Sequence, residues 1–222
     1  MRLILLGPPG CGKGTQATLL SERNRLEHVG TGDLLRDAIS QQTPLGLLAK
    51  NFVESGHLVP DDLVNDLITE RFRRSDRPQR FAMDGYPRTL AQARAFEGVL
   101  KEQDLCLNAV LLLHVEDEEI VLRVHKRWSC PKSGCKATYH LEKKPTQVLG
   151  VCDLCGTQLV QRADDGEETV RRRLVVYHDN IVTLIPHYRT QGLLHEVAGQ
   201  GDIEQIYANI MQVLDTQVGR AC

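Results

Sequence analysis

The amino-acid sequence predicts an α/β fold: a five-stranded parallel sheet between two layers of helices, interrupted by a small β-rich insertion. Three observations predict it. Short apolar runs alternate with longer segments of helical period through most of the 222 residues, the arrangement in which successive strands lie parallel and the helices pack back onto them. The first apolar run, 2–6, stops at Gly7-Pro8-Pro9-Gly10 and gives way to a helical segment. Between 128 and 162 the helical period is lost, and four of the seven cysteines fall there.

Taken in order, 2–6 reads as a buried first strand and 13–24 as the helix that follows it. Further strands are predicted at 26–29, 80–84, 109–115 and 193–197. Helices are predicted at 32–41, 45–55, 61–75, 89–102, 117–127, 169–190 and 203–214. Several of these open with acidic residues: Asp33 after Thr31-Gly32, Asp61-Asp62 after Pro60, and Asp117 ahead of Glu118-Glu119. Carboxylates there accept from the free N–H groups of the first turn and complement the helix dipole.

Composition excludes several classes. Hydrophobic residues are 41% and charged residues 25%, which is ordinary for a globular chain and rules out wholly disordered or collagen-like ones. Basic residues number 27 against 29 acidic, for a net charge of -2. This gives no electrostatic case for nucleic acid or an anionic membrane as partner. No apolar run approaches the ~18 residues of a membrane span. The apolar start is too short for a signal peptide. A cytoplasmic chain is expected, whose cysteines serve as metal ligands or free thiols rather than disulfides.

Gly7-Pro8-Pro9-Gly10-Cys11-Gly12-Lys13-Gly14-Thr15 joins the first strand to the first helix. Glycines let several backbone N–H groups converge on one point, and the helix N-terminus adds partial positive charge. Lys13 then brings a full charge to the β- and γ-phosphates of a nucleotide, and the Thr15 hydroxyl can reach Mg²⁺. The hydroxyl stands one residue later than in the strict P-loop pattern, because Gly14 follows Lys13. Cys11 reads as a small side chain in the turn, not as a nucleophile.

Four further segments carry a family resemblance: Thr31-Gly32-Asp33-Leu34-Leu35-Arg36, Asp84-Gly85-Tyr86-Pro87-Arg88-Thr89, Arg123 with Arg127, and Arg162-Ala163-Asp164-Asp165 through Arg173. With the turn at 7–15, their order and spacing resemble adenylate kinase of the long, bacterial type. The resemblance spans essentially the whole chain. It implies the reaction Mg·ATP + AMP ⇌ 2 ADP, in a cytoplasmic monomer. It also implies a P-loop core of 1–29, 60–125 and 166–222 with two mobile attachments: a helical AMP-binding insertion, 30–59, and a lid, 126–165. The chemistry agrees with the residues. Phosphoryl transfer between nucleotides asks for positioning and charge stabilisation more than covalent work, so cations should flank the cleft from several directions.

The resemblance further implies roles for single residues. Lys13, Arg88, Arg123, Arg162 and Arg173 form the catalytic set. Arg36 and Arg88 hold the AMP phosphate, Arg123 and Arg127 hold ATP phosphates, and Arg162 and Arg173 bridge to AMP and the transferring group. Arg123 and Arg127, four apart, are expected on one helix face, with Arg127 also able to stack on a purine. ATP is further contacted by Gly10, Cys11, Gly12, Gly14 and Thr15, and by Thr138, Tyr139 and Gln200. AMP is read by Thr31, Gln92 and the backbone of Gly85, Tyr86 and Pro87. His57, Leu58 and Val59 supply backbone contacts. Asp84, at a strand end, suits an acid near Mg²⁺, reached through water.

The four cysteines of the insertion form two knuckles. Four residues separate Cys130 from Cys135, two separate Cys152 from Cys155, and sixteen lie between the pairs. That spacing suits a closed structural zinc ribbon, with iron or cobalt as thiolate-compatible alternatives. The first gap is wider than the family's usual two, which leaves His125 or His140 as alternatives to one thiolate. Cys11, Cys106 and Cys222 are expected as free thiols.

Two other functions fit parts of the sequence: a kinase for another nucleoside monophosphate, and a nucleotide-switched zinc ribbon that binds nucleic acid. The second lacks a basic, aromatic-rich stripe.

Overall fold

A computed structural model describes residues 1–132, 134–135 and 137–217. Within it the chain runs β1 (Arg2–Leu6), α1 (Lys13–Asn24), β2 (Glu27–Gly30), α2 (Thr31–Ser40), α3 (Pro44–Ser55), α4 (Asp61–Arg73), β3 (Phe81–Asp84) and α5 (Leu90–Glu102). It continues through β4 (Ala109–His114), α6 (Asp117–His125), β5 (Arg127–Ser129), β6 (Thr138–His140), a 3-10 turn (Ala163–Asp165), α7 (Glu167–Thr190), β7 (Leu194–Ala198) and α8 (Ile203–Gln217).

Among the described residues, five parallel strands form one sheet in the order β2-β3-β1-β4-β7. Side chains alternate across it. Ile4, Leu6, Met83, Val110 and Leu112 enter one core, and Leu3, Leu5, Ala82, Leu111 and Leu113 enter the other. Both faces are therefore buried, which is why the strands read as unbroken apolar runs rather than alternating ones. On the first face Phe72, Phe81, Phe96 and Tyr86 meet edge to face, with ring centroids 5.1–6.0 Å apart, the geometry favoured by the ring quadrupole.

Strand order reverses beside the central β1. A cleft therefore opens past the carboxyl ends of β1, β3 and β4, where ligands of open α/β sheets bind. The α2–α3 pair packs very closely. A Cβ on Gly46 would lie 2.1 Å from the Ala38 carbonyl oxygen, so only glycine permits this crossing. Beyond α6 the chain forms a separate ribbon, in which β5 pairs antiparallel with β6 and Ser129 bridges to Val160.

Two expectations are corrected. The sixth helix ends at His125, and Arg127 opens β5. Arg123 and Arg127 therefore do not share a helix face: the ribbon's strand pairing claims Arg127, whose neighbour Trp128 pairs across with Tyr139. Cys106 is disulfide-bonded, not free, a pairing that spacing alone cannot reveal. Cys222 lies outside the described residues. No described helix is long and apolar enough to cross a membrane.

Candidate active site

The turn after β1 is held by its glycines. Gly7 (φ +145°) would place a Cβ 2.8 Å from the Leu113 carbonyl oxygen, and Gly10 (φ +83°) would place one 2.4 Å from Val124. No side chain caps the N-terminus of α1, which begins at Lys13 after Gly12, so its first-turn N–H groups face the cleft. Lys13 Nζ folds back to donate to the Gly7 and Pro8 carbonyls, each at 2.8 Å. Cys11 is wholly buried beneath it.

Asp84, at the end of β3, stands beside this turn: a Cβ on Gly14 would lie 3.2 Å from its Oδ2. Burial pushes its carboxyl up. His28, Lys13 and Arg88 outweigh that and hold it below the usual carboxylate range. His28 Nε2 sits 3.6 Å from Oδ2, within ion-pair reach but too far for a hydrogen bond.

Six arginines from separate parts of the chain line one cleft of about 300 Å³: Arg36, Arg88, Arg123, Arg127, Arg162 and Arg173. Protein groups aim each of them. Arg36 pairs with Asp33, and Arg173 with Asp164. Arg127 grips Asp165 with two prongs. Arg123 donates to Glu119 and to the Gly199 carbonyl. Arg88 Nε donates to the Gly85 carbonyl at 2.8 Å, and Arg162 Nε to Ser129 Oγ at 2.9 Å. Burial, and then neighbouring arginines, push Arg88 and Arg162 down to about 10. The cluster is thus crowded with positive charge that a polyanion would relieve.

A smaller cavity adjoins this cleft, walled by Thr31, Leu35, His57, Leu58, Val59 and Val64, with Gly85, Arg88 and Gln92 at its polar side. Apolar walls with a few convergent polar groups suit a planar base. Thr31 Oγ1 donates to the Gly85 carbonyl at 2.8 Å. Gln92 is almost fully buried, its Oε1 accepting from Arg88 N at 2.7 Å.

The structure thus gathers Gly10, Cys11, Gly12, Lys13, Gly14, Thr15, Asp84, Pro87, Thr138, Tyr139 and the six arginines on the main cleft. Tyr86 and Gln200 line neither cavity. Tyr86 is buried behind the wall, its hydroxyl donating to Asn65 Oδ1 and the Gln92 carbonyl. The neighbour of Gln200, Gly201, reaches the cleft instead. His28, Lys143 and Lys144, to which the sequence assigns no role, also line it, as does His140, weighed there only as a metal ligand. The adjacent pair Lys143-Lys144, directly after Glu142, was the available signal. His28 had none, since its partner Asp84 is 56 residues away.

In the ribbon, Cys130 and Cys155 Sγ lie 3.5 Å apart, Cys135 and Cys152 3.6 Å, and all four sulfurs lie within 4.8 Å of one another. A tetrahedral ion with ~2.3 Å metal–sulfur bonds needs sulfur–sulfur edges of about 3.8 Å, so the four thiols fit such an ion. His140 is not in the set: its Nδ1 accepts from the Glu142 and Lys143 backbone. Tyr139 packs into the same cluster, its hydroxyl 3.5 Å from Cys152 Sγ.

A sequence profile of the adenylate kinase family matches residues 5–193. Curated relatives named adenylate kinase align over nearly the whole chain. That of Archaeoglobus fulgidus is 45% identical over 97% of this chain and 98% of its own. That of Streptomyces avermitilis is 44% identical over 96% and 97%, and one from Clostridium botulinum 42% over 96% and 98%.

Proposed function

This chain belongs to the adenylate kinase family, transferases that move a phosphoryl group between nucleotides, and we infer that its cleft carries ATP's γ-phosphoryl group to AMP, giving two ADP. One observation carries the reading: six arginines and Lys13 converge on a single cleft that opens into an apolar, base-sized pocket.

The ATP phosphates lie on the turn 10–15. Lys13 exchanges its two carbonyl partners for β- and γ-oxygens, and Arg123 and Arg127 take the remaining phosphate oxygens. Thr138 and Tyr139 wall the donor from the ribbon side. AMP lies in the smaller pocket, its base against Thr31, Leu58, Val59 and Gln92 and its phosphate on Arg36 and Arg88. Arg88, Arg162 and Arg173 face the space between the two nucleotides, where charge shifts during transfer, and stabilise it as it moves. The acceptor is already a phosphate oxygen, so no general base is required. Thr15 and, through water, Asp84 would hold Mg²⁺, which supplies neutralising charge to the β- and γ-phosphates.

Residues 30–59 and 126–165 act as the moving attachments on the core 1–29, 60–125 and 166–222. Closure of the second brings Arg127 and Arg162 home and excludes water. The four cysteines hold zinc as a structural ion, with no coordination position left for chemistry. The chain works as a monomer in the cytoplasm.

The test is ADP formation from ATP with AMP, GMP, CMP and UMP in turn. AMP should be the preferred acceptor by at least about tenfold in kcat/KM. A better rate with any other monophosphate overturns the assignment of base.

A further inference from the structure

Gln92 is the polar group that meets the acceptor base, and a free glutamine amide is ambiguous. Its oxygen accepts, its nitrogen donates, and half a turn exchanges them. Adenine presents an acceptor at N1 beside a donor at its 6-amino group. A 6-oxopurine presents the reverse, a donor at N1 and an acceptor at O6. A glutamine free to turn would therefore satisfy either base.

This glutamine is not free. Its Oε1 accepts from the Arg88 backbone N–H at 2.7 Å, and its Nε2 donates to Asp61 Oδ1 at 2.9 Å. The first partner only donates and the second only accepts, so both demand the same orientation. Asp61 is itself pinned: it is the first residue of α4, and its Oδ2 accepts from Thr89 Oγ1 at 2.6 Å. Thr89 caps α5 by accepting from Gln92 N. The carboxylate thus ties the start of α4 to the start of α5, through partners 28 and 31 residues further along the chain. Among the described residues, one N–H and one lone pair of the Gln92 amide are left for the pocket, in a fixed arrangement.

We propose that Asp61 is a positioning residue that sets the choice of adenine over 6-oxopurines by locking the Gln92 amide. It touches no substrate and acts through Gln92. The inference rests on the reading that Gln92 faces the acceptor base.

The test compares kcat/KM for AMP and for IMP at saturating ATP, in the parent, Asp61→Ala, Asp61→Ser and Gln92→Ala. IMP keeps adenine's outline and reverses the edge, so the ratio reports orientation and not pocket size. Both Asp61 variants should lower the AMP-to-IMP ratio by about tenfold or more, the range of one hydrogen bond to a charged group. The loss should appear as a raised KM for AMP, with KM for ATP unchanged. Gln92→Ala should lower the ratio at least as far, and adding Asp61→Ala to it should change the ratio no further. Asp61→Ser keeps a small polar residue at the start of α4 and stands in if Asp61→Ala does not fold. If AMP and IMP fall together in the Asp61 variants while Gln92→Ala shifts the ratio, Asp61 is only structural and the proposal fails alone. If Gln92→Ala leaves the ratio unchanged, the amide does not read the base and both readings fail. A parent that takes IMP as readily as AMP also overturns the proposal.

Discussion

The five-stranded core and the cysteine ribbon present arginines to the same cleft but are held together by different means. In the core, two apolar clusters fill both faces of the sheet, and Leu3, Ile4, Phe81 and Leu111 are completely buried. Each such side chain contributes about 1.5–3 kcal/mol on leaving water. The ribbon's cluster of buried residues is Cys130, Tyr139, Cys152 and Leu159. Val148, Leu149 and Leu154 stay largely exposed beside it. So little apolar burial cannot order a β-rich segment, whereas a structural zinc on four thiolates is worth about 10 kcal/mol or more. The core's arginines should therefore stay in place without metal, and those rooted in the ribbon should depend on it.

The largest effect expected is in the core. Lys13→Met should lower kcat by about 10²–10³-fold or more, since in the proposed reaction Lys13 neutralises charge that appears during transfer. Steady-state kinetics checks this, with the melting temperature expected to stay near the parent's. A rate within a few-fold of the parent's would remove the turn from the mechanism.

Next comes Arg88→Lys, which should lower kcat/KM for AMP by about ten- to a hundredfold. A planar fork holds two phosphate oxygens, whereas an ammonium does not. Normal AMP affinity and rate in this variant would mean that Arg88 does not hold the AMP phosphate.

The ribbon should respond the other way round. Chelation, or Cys152→Ser, should lower the melting temperature by roughly 10 °C while kcat at moderate temperature falls only several-fold. Calorimetry with elemental analysis decides it. Metal-free protein that melts normally, or loses all activity without losing stability, would erase the contrast between the two regions.

The smallest effect sharpens the same contrast. The crowded cations around Arg88 and Arg162 should welcome an anion, so AMP at ten times its Kd should raise the melting temperature by about 4 °C. Arg88→Lys should lose most of that gain. An equal gain in that variant would mean that AMP is held elsewhere.

Local chemistry determined most of the fold and much of the site in advance. The Gly7-Thr15 turn, the strand–helix alternation and the paired cysteine knuckles are each written within a few residues, because backbone curvature, burial on both sheet faces and ligand spacing are short-range demands. What only the tertiary structure decided depends on partners far apart in sequence. Arg127 left the helix it was expected to extend because the ribbon's strand pairing took it. Gln200 lines neither cavity although its neighbour Gly201 lines the cleft. His28 meets Asp84, and Asp61 meets Gln92, only once β2 lies beside β3 and α4 beside α5. Periodicity reports which face of an element is buried, but not which polar group waits there. That choice belongs to the packing of whole elements.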